Sequence, residues 1–323
     1  MKRLGCVVGL VLALSAAAAL FFSGAVLGEA TIDEETPFVI PAGASLSAVA
    51  QDLESAGLIT SADGFLLSAR LFGNADPIQA GEFSLSPGMS QREILTAFQS
   101  GDVVRRFVTI PEGMPSVLVW ERVMAEELLT GEVDIPPEGS ILPDTYAFER
   151  GQKSSVLIEQ MQAAMDLYLA EAWAKRSPGI AVDTIREALI LASIVEKETG
   201  TPGERRAVAG LYSNRLRSGM MLQADPTIIY PITQGKPLGR RIRQSEIAQV
   251  NGYNTYTMLG LPEGPITNPG RESIAAVLNP EKHDYLFMVA DGTGGHEFNA
   301  TLEGHNAAVE RWFQLRRDRG EIE

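Results

Sequence analysis

The stretch that decides the fold is TIREALILASIVEKETG, which runs from Thr184 to Gly200. Thr184 and Glu187 have the spacing of a capping box, in which each side chain bonds the other residue's backbone N–H at the start of a helix. Gly200 is typical of the end of a helix. Apolar residues fill both faces between these signals. We therefore predict a helix that is buried deep within its domain.

One carboxylate of this helix is a candidate catalytic acid. Glu196 shares a helical face with Leu189 and Ala192. Apolar surroundings disfavour the charged carboxylate, and a general acid must be protonated near neutral pH. The alternative is a structural pair with Lys197 or with an arginine of the next helix. Glu198 lies about 200° further round the helix, so we do not expect both carboxylates to enter one pocket.

A short block after the next helix carries two polar candidates for substrate contact. The segment MLQADPTIIYP, residues 221–231, contains Gln223 and Asp225. Pro226 disfavours helical backbone at the residue before it, so we expect Asp225 to lie in a sharp loop. Ordinary turn chemistry is the more frequent use of an Asp-Pro pair, and that alternative stays open.

A longer loop-rich block, residues 250–274, carries the remaining candidates. Tyr253, Asn254 and Tyr256 lie in a segment rich in glycine and proline, which is typical of a structured functional loop. Tyrosine rings pack on the faces of sugars, and amides bond their hydroxyl groups. At the end of the block, we expect Asn268 to cap a helix whose first residue is Pro269.

The rest of the chain predicts an α+β protein, because strands and helices do not alternate regularly. Residues 29–37 are an acidic linker. Residues 38–101 form a small α+β domain, whose first strand and helix resemble half of a LysM-type module. A spacer that binds nothing is the alternative. Residues 102–323 form a larger α+β domain, with a hairpin around the GTGG segment and a terminal helix from Thr301.

The N-terminus predicts a membrane anchor. Lys2 and Arg3 precede an uncharged apolar run from Leu4 to Gly28, and acidic residues follow it. At about 1.5 Å per residue, this run is long enough to cross a bilayer core. The distribution of charge puts residues 1–28 across the membrane as a cytoplasmic tip and a single span, with the rest of the chain outside the cytoplasm. A cleaved signal peptide is the alternative.

Composition and motifs exclude several classes of function. The net charge of −14 argues against nucleic acid as a partner. Cys6 is the only cysteine and lies in the apolar run, so a cysteine nucleophile is excluded. We predict no metal and no cofactor, because HEFNA lacks the second histidine of a zinc motif. His296 and His305 either line a site or are structural. The arginines at 240, 241 and 243 are a solvated face or meet peptide carboxylates.

Ordered sequence blocks identify a family. The chain contains EGSILPDTYAF at 138–148, IVEKET at 194–199, YSNRL at 212–216, LQADPT at 222–227, YNTY at 253–256, GLPEGPITNPG at 260–270 and GGHEF at 294–298. In this order they resemble the YceG-like (MltG) family of endolytic murein transglycosylases. The apolar N-terminus and the LysM-like unit match as well. The resemblance covers nearly the whole chain.

The resemblance implies a lytic reaction on the β-1,4 bond between MurNAc and GlcNAc of peptidoglycan. It implies that Glu196, the first glutamate of VEKE, protonates the glycosidic oxygen and then accepts the proton of the MurNAc 6-hydroxyl, which closes a 1,6-anhydro ring. No second carboxylate is then required, unlike in the hydrolytic pairs. The resemblance also implies that the protein ends nascent strands at the inner membrane, beside peptidoglycan synthases.

Overall fold

The computed structural model describes residues 30–73 and 76–322, which form two compact units. The first unit contains residues 30–73, 76–106 and 147–151. The second contains residues 107–146 and 152–322. A short segment from the middle of the sequence thus belongs to the first unit. The predicted domain limits of 38–101 and 102–323 remain predictions.

The first unit contains a two-stranded antiparallel sheet and three helices. The elements are β1 (Thr36–Ile40), α1 (Leu46–Ser55), α2 (Ala62–Phe72), β2 (Gly81–Leu85) and α3 (Gln91–Ser100). Phe38 of β1 pairs with Phe83 of β2. Both rings pack on Phe98 of α3, with centroid distances of 5.7 and 4.8 Å. Ser45, Ser61 and Ser90 cap the three helices.

Two strands carry residues of both units. They are β3 (Arg105–Thr109) and β4 (Thr145–Glu149), which pair with each other. The second unit also contains α4 (Ser116–Met124), α5 (Ser154–Ala174), α6 (Ile185–Glu198), α7 (Arg205–Arg217), α8 (Asp225–Thr233), α9 (Gln244–Ile247), α10 (Arg271–Leu278), β5 (Phe287–Ala290), β6 (His296–Asn299) and α11 (Leu302–Asp318).

Helix α6 lies at the centre of the second unit, as its sequence predicts. The capping box between Thr184 and Glu187 is present, and all residues from Ile190 to Val195 are buried. Helices α7 and α10 pack against α6. The mixture of helices and short antiparallel strands confirms the α+β class. The hairpin of β5 and β6 and the helix capped by Thr301 are also as predicted.

Two local predictions are wrong. Asp225 does not lie in a loop, because α8 begins there with proline in its first turn. Proline is tolerated at that position because the first turn has no intrahelical partner for its N–H. Asn268 is not a helix cap, because α10 begins at Arg271 after Gly270. The Asn268 side chain instead bonds Met114, Ser116 and Ile141.

Across residues 30–73 and 76–322, none of the helices combines the length and apolar character that a membrane span requires. The predicted anchor from Leu4 to Gly28 lies outside the described residues.

Candidate active site

The last turn of α6 presents two carboxylates to different surroundings. The preceding part of the helix is locked into the core, where the Ser193 hydroxyl donates to the Ile190 carbonyl at 2.7 Å and accepts from the Ile266 N–H at 3.1 Å. The rigid helix therefore fixes the directions in which Glu196 and Glu198 leave its final turn.

Both carboxylate oxygens of Glu196 have partners on neighbouring elements. One oxygen accepts hydrogen bonds from the Gly270 N–H at 3.0 Å and from the Ser273 hydroxyl at 2.7 Å. The other lies 3.8 Å from the guanidinium of Arg205, and only 7% of the side chain is exposed. This is the structural pairing with an arginine of the next helix that the sequence left open.

Glu198 has the opposite environment. It is half-buried, and no hydrogen bond or ion pair within residues 30–73 and 76–322 engages its carboxylate. Burial and, second, the charge of Asp225 raise the pKa of Glu198 to about 7, while Arg215 opposes the rise. Glu198 is therefore protonated over much of the range below neutral pH, with its proton free for transfer.

Asp225 and Tyr256 form a hydrogen-bonded pair beside this glutamate. The Tyr256 hydroxyl donates to Asp225 Oδ1 at 2.6 Å. Burial and this bond raise the pKa of Tyr256, so its hydroxyl keeps its proton. Because Glu198 and Asp225 both influence Tyr256, these three groups share one electrostatic site. The sequence indicated Glu196 as a lone glutamate, whereas the structure places a pair of coupled carboxylates, Glu198 and Asp225, at this end of α6.

A network of threonines joins the block with Gln223 to the block with Tyr256. The Thr255 hydroxyl accepts from the Ala224 N–H at 3.0 Å and lies 2.9 Å from the Thr227 hydroxyl. The Gln223 N–H donates to the Thr255 carbonyl at 3.1 Å. Gln223 has a φ of 51°, and its side chain is exposed beside the site.

The other two predicted contact residues have well-defined positions in the loop. Asn254 is fully buried, and its amide donates to the carbonyls of Ile247 and Gln249 at 3.0 and 2.6 Å. Its side chain thus stabilises the loop. Tyr253 is half-buried and stacks on Tyr230, with ring centroids 4.9 Å apart. Contact of either residue with a substrate remains a prediction.

Sequence reasoning missed Glu198 and Arg215 as functional candidates. Arg215 is 8% exposed, and it donates to the carbonyls of Leu286 at 2.6 Å and Leu222 at 2.7 Å. It therefore anchors the segment before Gln223. An arginine that continues the inward stripe of α7 was the available signal, because a buried guanidinium needs several acceptors.

The histidines have structural partners. His296 Nδ1 lies 2.9 Å from a carboxylate oxygen of Glu204, and the His305 ring stacks on Phe287. In the part of the chain that the structure describes, no group of three His, Cys, Asp or Glu side chains has the arrangement of a metal site. Arg240 pairs with Glu246 on the surface.

Comparison with known proteins places these features in a wider group. The model of the YceG-like family matches residues 38–311. An endolytic murein transglycosylase of Bacillus subtilis is 27% identical over 87% of this chain and 85% of its own length. One of Streptococcus pneumoniae serotype 2 is 29% identical over 84% of this chain, which spans 57% of that protein.

A solved structure has a similar fold. The crystal structure of a YceG-like protein from Listeria monocytogenes matches with a TM-score of 0.52 and 29% sequence identity. The match covers 85% of this chain and 99% of that one.

Proposed function

Because this chain belongs to the YceG-like family, we propose that it is an endolytic lytic transglycosylase of peptidoglycan. Its relatives in B. subtilis and S. pneumoniae carry the name endolytic murein transglycosylase. The reaction breaks the β-1,4 bond between MurNAc and GlcNAc and leaves a 1,6-anhydroMurNAc end.

The geometry favours Glu198 over Glu196 as the acid in this reaction. The single observation that carries this choice is the contrast in the last turn of α6. Glu196 is bound by Gly270, Ser273 and Arg205. Glu198 is half-buried beside Asp225, which keeps it protonated near neutral pH. A general acid needs a transferable proton at the working pH.

The reaction then proceeds with one acid that changes role. Glu198 donates its proton to the glycosidic oxygen as the C1–O bond breaks, and positive charge develops on the MurNAc ring. The Glu198 carboxylate next removes the proton from the 6-hydroxyl group of MurNAc. The oxygen of that hydroxyl group bonds to C1 at the same time. The proton returns to Glu198, and no water is consumed. The Asp225 carboxylate lies in the same electrostatic site, and its negative charge favours the cationic ring.

Substitution of each glutamate in turn tests which of them is the general acid. We expect Glu198→Gln to lower the rate of strand cleavage by about 10²- to 10⁴-fold, because the proton donor is lost. Glu196→Gln is the matched control, because glutamine still accepts from Gly270 and Ser273. It should keep most of the activity and lose some stability. The products of purified peptidoglycan are measured by mass spectrometry.

The reverse result, with activity lost only in Glu196→Gln, would assign the acid to Glu196. A non-enzymatic scaffold that binds peptidoglycan predicts binding without products from the unmodified chain. A hydrolytic muramidase predicts reducing ends in place of anhydro ends. Mass spectrometry of the products separates these outcomes.

The apolar run from Leu4 to Gly28 supports a single-pass anchor in the cytoplasmic membrane, with the N-terminus in the cytoplasm and the catalytic unit outside. At that place the enzyme ends nascent strands beside peptidoglycan synthases of the elongation machinery. A protease-accessibility assay on intact spheroplasts tests the orientation.

The LysM-like character of residues 38–101 supports glycan binding by the first unit. Gln223, Tyr253 and Tyr256 are the proposed substrate contacts, and the buried Asn254 holds the loop that carries the two tyrosines.

A further inference from the structure

A groove of about 470 Å³ lies in the second unit, and its lining residue Gly113 lies against Glu196. The loop from Pro111 to Pro115, helix α8 and the turn at 235–238 form its walls. Most of the lining is carbon, from Met114, Leu118, Ile229, Leu238 and Ile266. Its size is in the usual range for ligand sites.

One end of the groove reaches the last turn of α6, because a Cβ atom at its lining residue Gly113 would lie 3.4 Å from Cγ of Glu196. Lys197 lines it and stands between Glu196 and Glu198 in the sequence. Pro226 also lines it and directly follows Asp225. A branch on a sugar bound at the last turn of α6 would therefore face this groove.

The walls of the groove are held together before any ligand binds. Gly235 has a φ of 82°, and a Cβ atom at this position would lie 2.6 Å from Cβ of Pro115. On the other side, the Asn268 amide donates to the Met114 carbonyl at 2.9 Å, and the Asn268 carbonyl accepts from the Gly113 N–H at 2.9 Å. A preformed groove binds a ligand with little loss of entropy.

The two lysines of the groove differ in their availability. Lys236 Nζ lies 2.6 Å from a carboxylate oxygen of Glu121, so its charge is already paired. The exposed Lys197 makes only a 3.5 Å contact with the Gly113 carbonyl, and it has no ion pair within residues 30–73 and 76–322. The end nearest the glutamates therefore presents an available ammonium group above an apolar floor.

These properties favour a peptide over a sugar, because a lining that is mostly carbon offers few partners to the hydroxyl groups of a pyranose. They fit a short peptide that carries methyl groups and carboxylates. The lactyl group of MurNAc bears such a peptide stem. We propose that the groove receives the peptide stem of the MurNAc unit at the cleaved bond, with Lys197 pairing with a stem carboxylate. This inference rests on the proposed function.

Two matched substrates test it on the full chain. One is purified glycan strands with intact stems, and the other is the same strands after an amidase has removed the stems. We expect the unmodified protein to cleave stem-bearing strands with a kcat/KM about tenfold higher or more. Lys197→Gln should reduce this ratio by about two- to fivefold, mainly through KM, because an exposed charge pair is lost. Lys175→Gln, on an exposed lysine at the end of α5, is the control.

Equal cleavage of both substrates by the unmodified protein would overturn the stem site and leave the proposed function intact. A stem preference that Lys197→Gln does not change would overturn the role of Lys197 and hence the proposal as stated. Anhydro products from neither substrate would instead refute the proposed function.

Discussion

At the residue scale, the proposed chemistry depends on the groups that set the pKa of the Glu198 carboxylate. Its carboxylate is raised in pKa by burial and by Asp225, and lowered by Arg215. Arg215 holds the backbone of Leu222 and Leu286, so the same cation that anchors the site also limits the pKa of the acid. These opposing effects bring the pKa of Glu198 to about 7.

Asp225→Asn tests this balance. Removal of the Asp225 charge lowers the Glu198 pKa below about 7, so the protonated acid is lost at a lower pH. The falling alkaline limb of kcat/KM should move to lower pH, with a loss on the order of two- to tenfold at pH 8. The pH profile of cleavage measures this.

Tyr256→Phe is the comparison for that profile, because it removes the 2.6 Å hydrogen bond to Asp225 and keeps the charge. Its alkaline limb should move less than that of Asp225→Asn. An unchanged limb in Asp225→Asn would contradict the electrostatic coupling of the two carboxylates.

At the element scale, loops position the site, and buried polar side chains hold the loops. Asn268 joins three segments, because its side chain donates to Met114 and Ser116 and accepts from the Ile141 N–H at 2.9 Å. Asn254 does the same for the loop that carries Tyr256. Neither role is visible in the sequence, where an amide beside glycine or proline first indicates a cap or a sugar contact.

Asn268→Ala should lower the free energy of unfolding by about 2–4 kcal/mol, because buried partners are left without hydrogen bonds. Cleavage of stem-bearing strands should fall as well, since the groove wall at Gly113 and Met114 loses its anchor. Urea unfolding measures the loss. The exposed Asn306→Ala on α11 is the control and should change stability by less than about 0.5 kcal/mol. If Asn268→Ala loses no more stability than Asn306→Ala, the role of Asn268 in holding the three segments together is refuted.

At the scale of the whole molecule, the chain crosses between its units three times. Residues 147–151 lie far along the sequence and belong to the first unit. There Glu82, 5% exposed, pairs with Arg106 at 2.9 Å and with Arg150 at 2.5 Å. This buried carboxylate therefore links the returning segment to β2.

The two arginines lower the pKa of Glu82 from its usual value near 4.5. The ion pairs therefore stabilise the fold above that pH, and the stabilisation is lost as the pH falls through the lowered pKa. Glu82→Gln should cost about 1–3 kcal/mol at pH 7, since both arginines are partly exposed to water.

The same variant should lose less stability than the unmodified chain as the pH is lowered from 7 to 3. Urea unfolding at a series of pH values measures both quantities. Glu54→Gln, an exposed carboxylate of α1, is the control. An identical pH dependence in Glu82→Gln and the unmodified chain would contradict the linkage.

The sequence by itself determined the α+β class, the buried helix at 185–198 and the family. These follow from local signals, because capping residues and apolar periodicity act within a few residues. The ordered blocks added the family. The angular separation of Glu196 and Glu198 was also available, since helix geometry sets it.

Only the tertiary structure decided what each glutamate faces. Gly270, Ser273 and Arg205 surround Glu196, whereas Asp225 and Arg215 act on Glu198. These partners come from different helices, and their approach depends on packing between distant segments. Both faces of α6 meet protein, so periodicity alone did not distinguish a paired carboxylate from one with a free proton. That difference moves the proposed acid from Glu196 to Glu198.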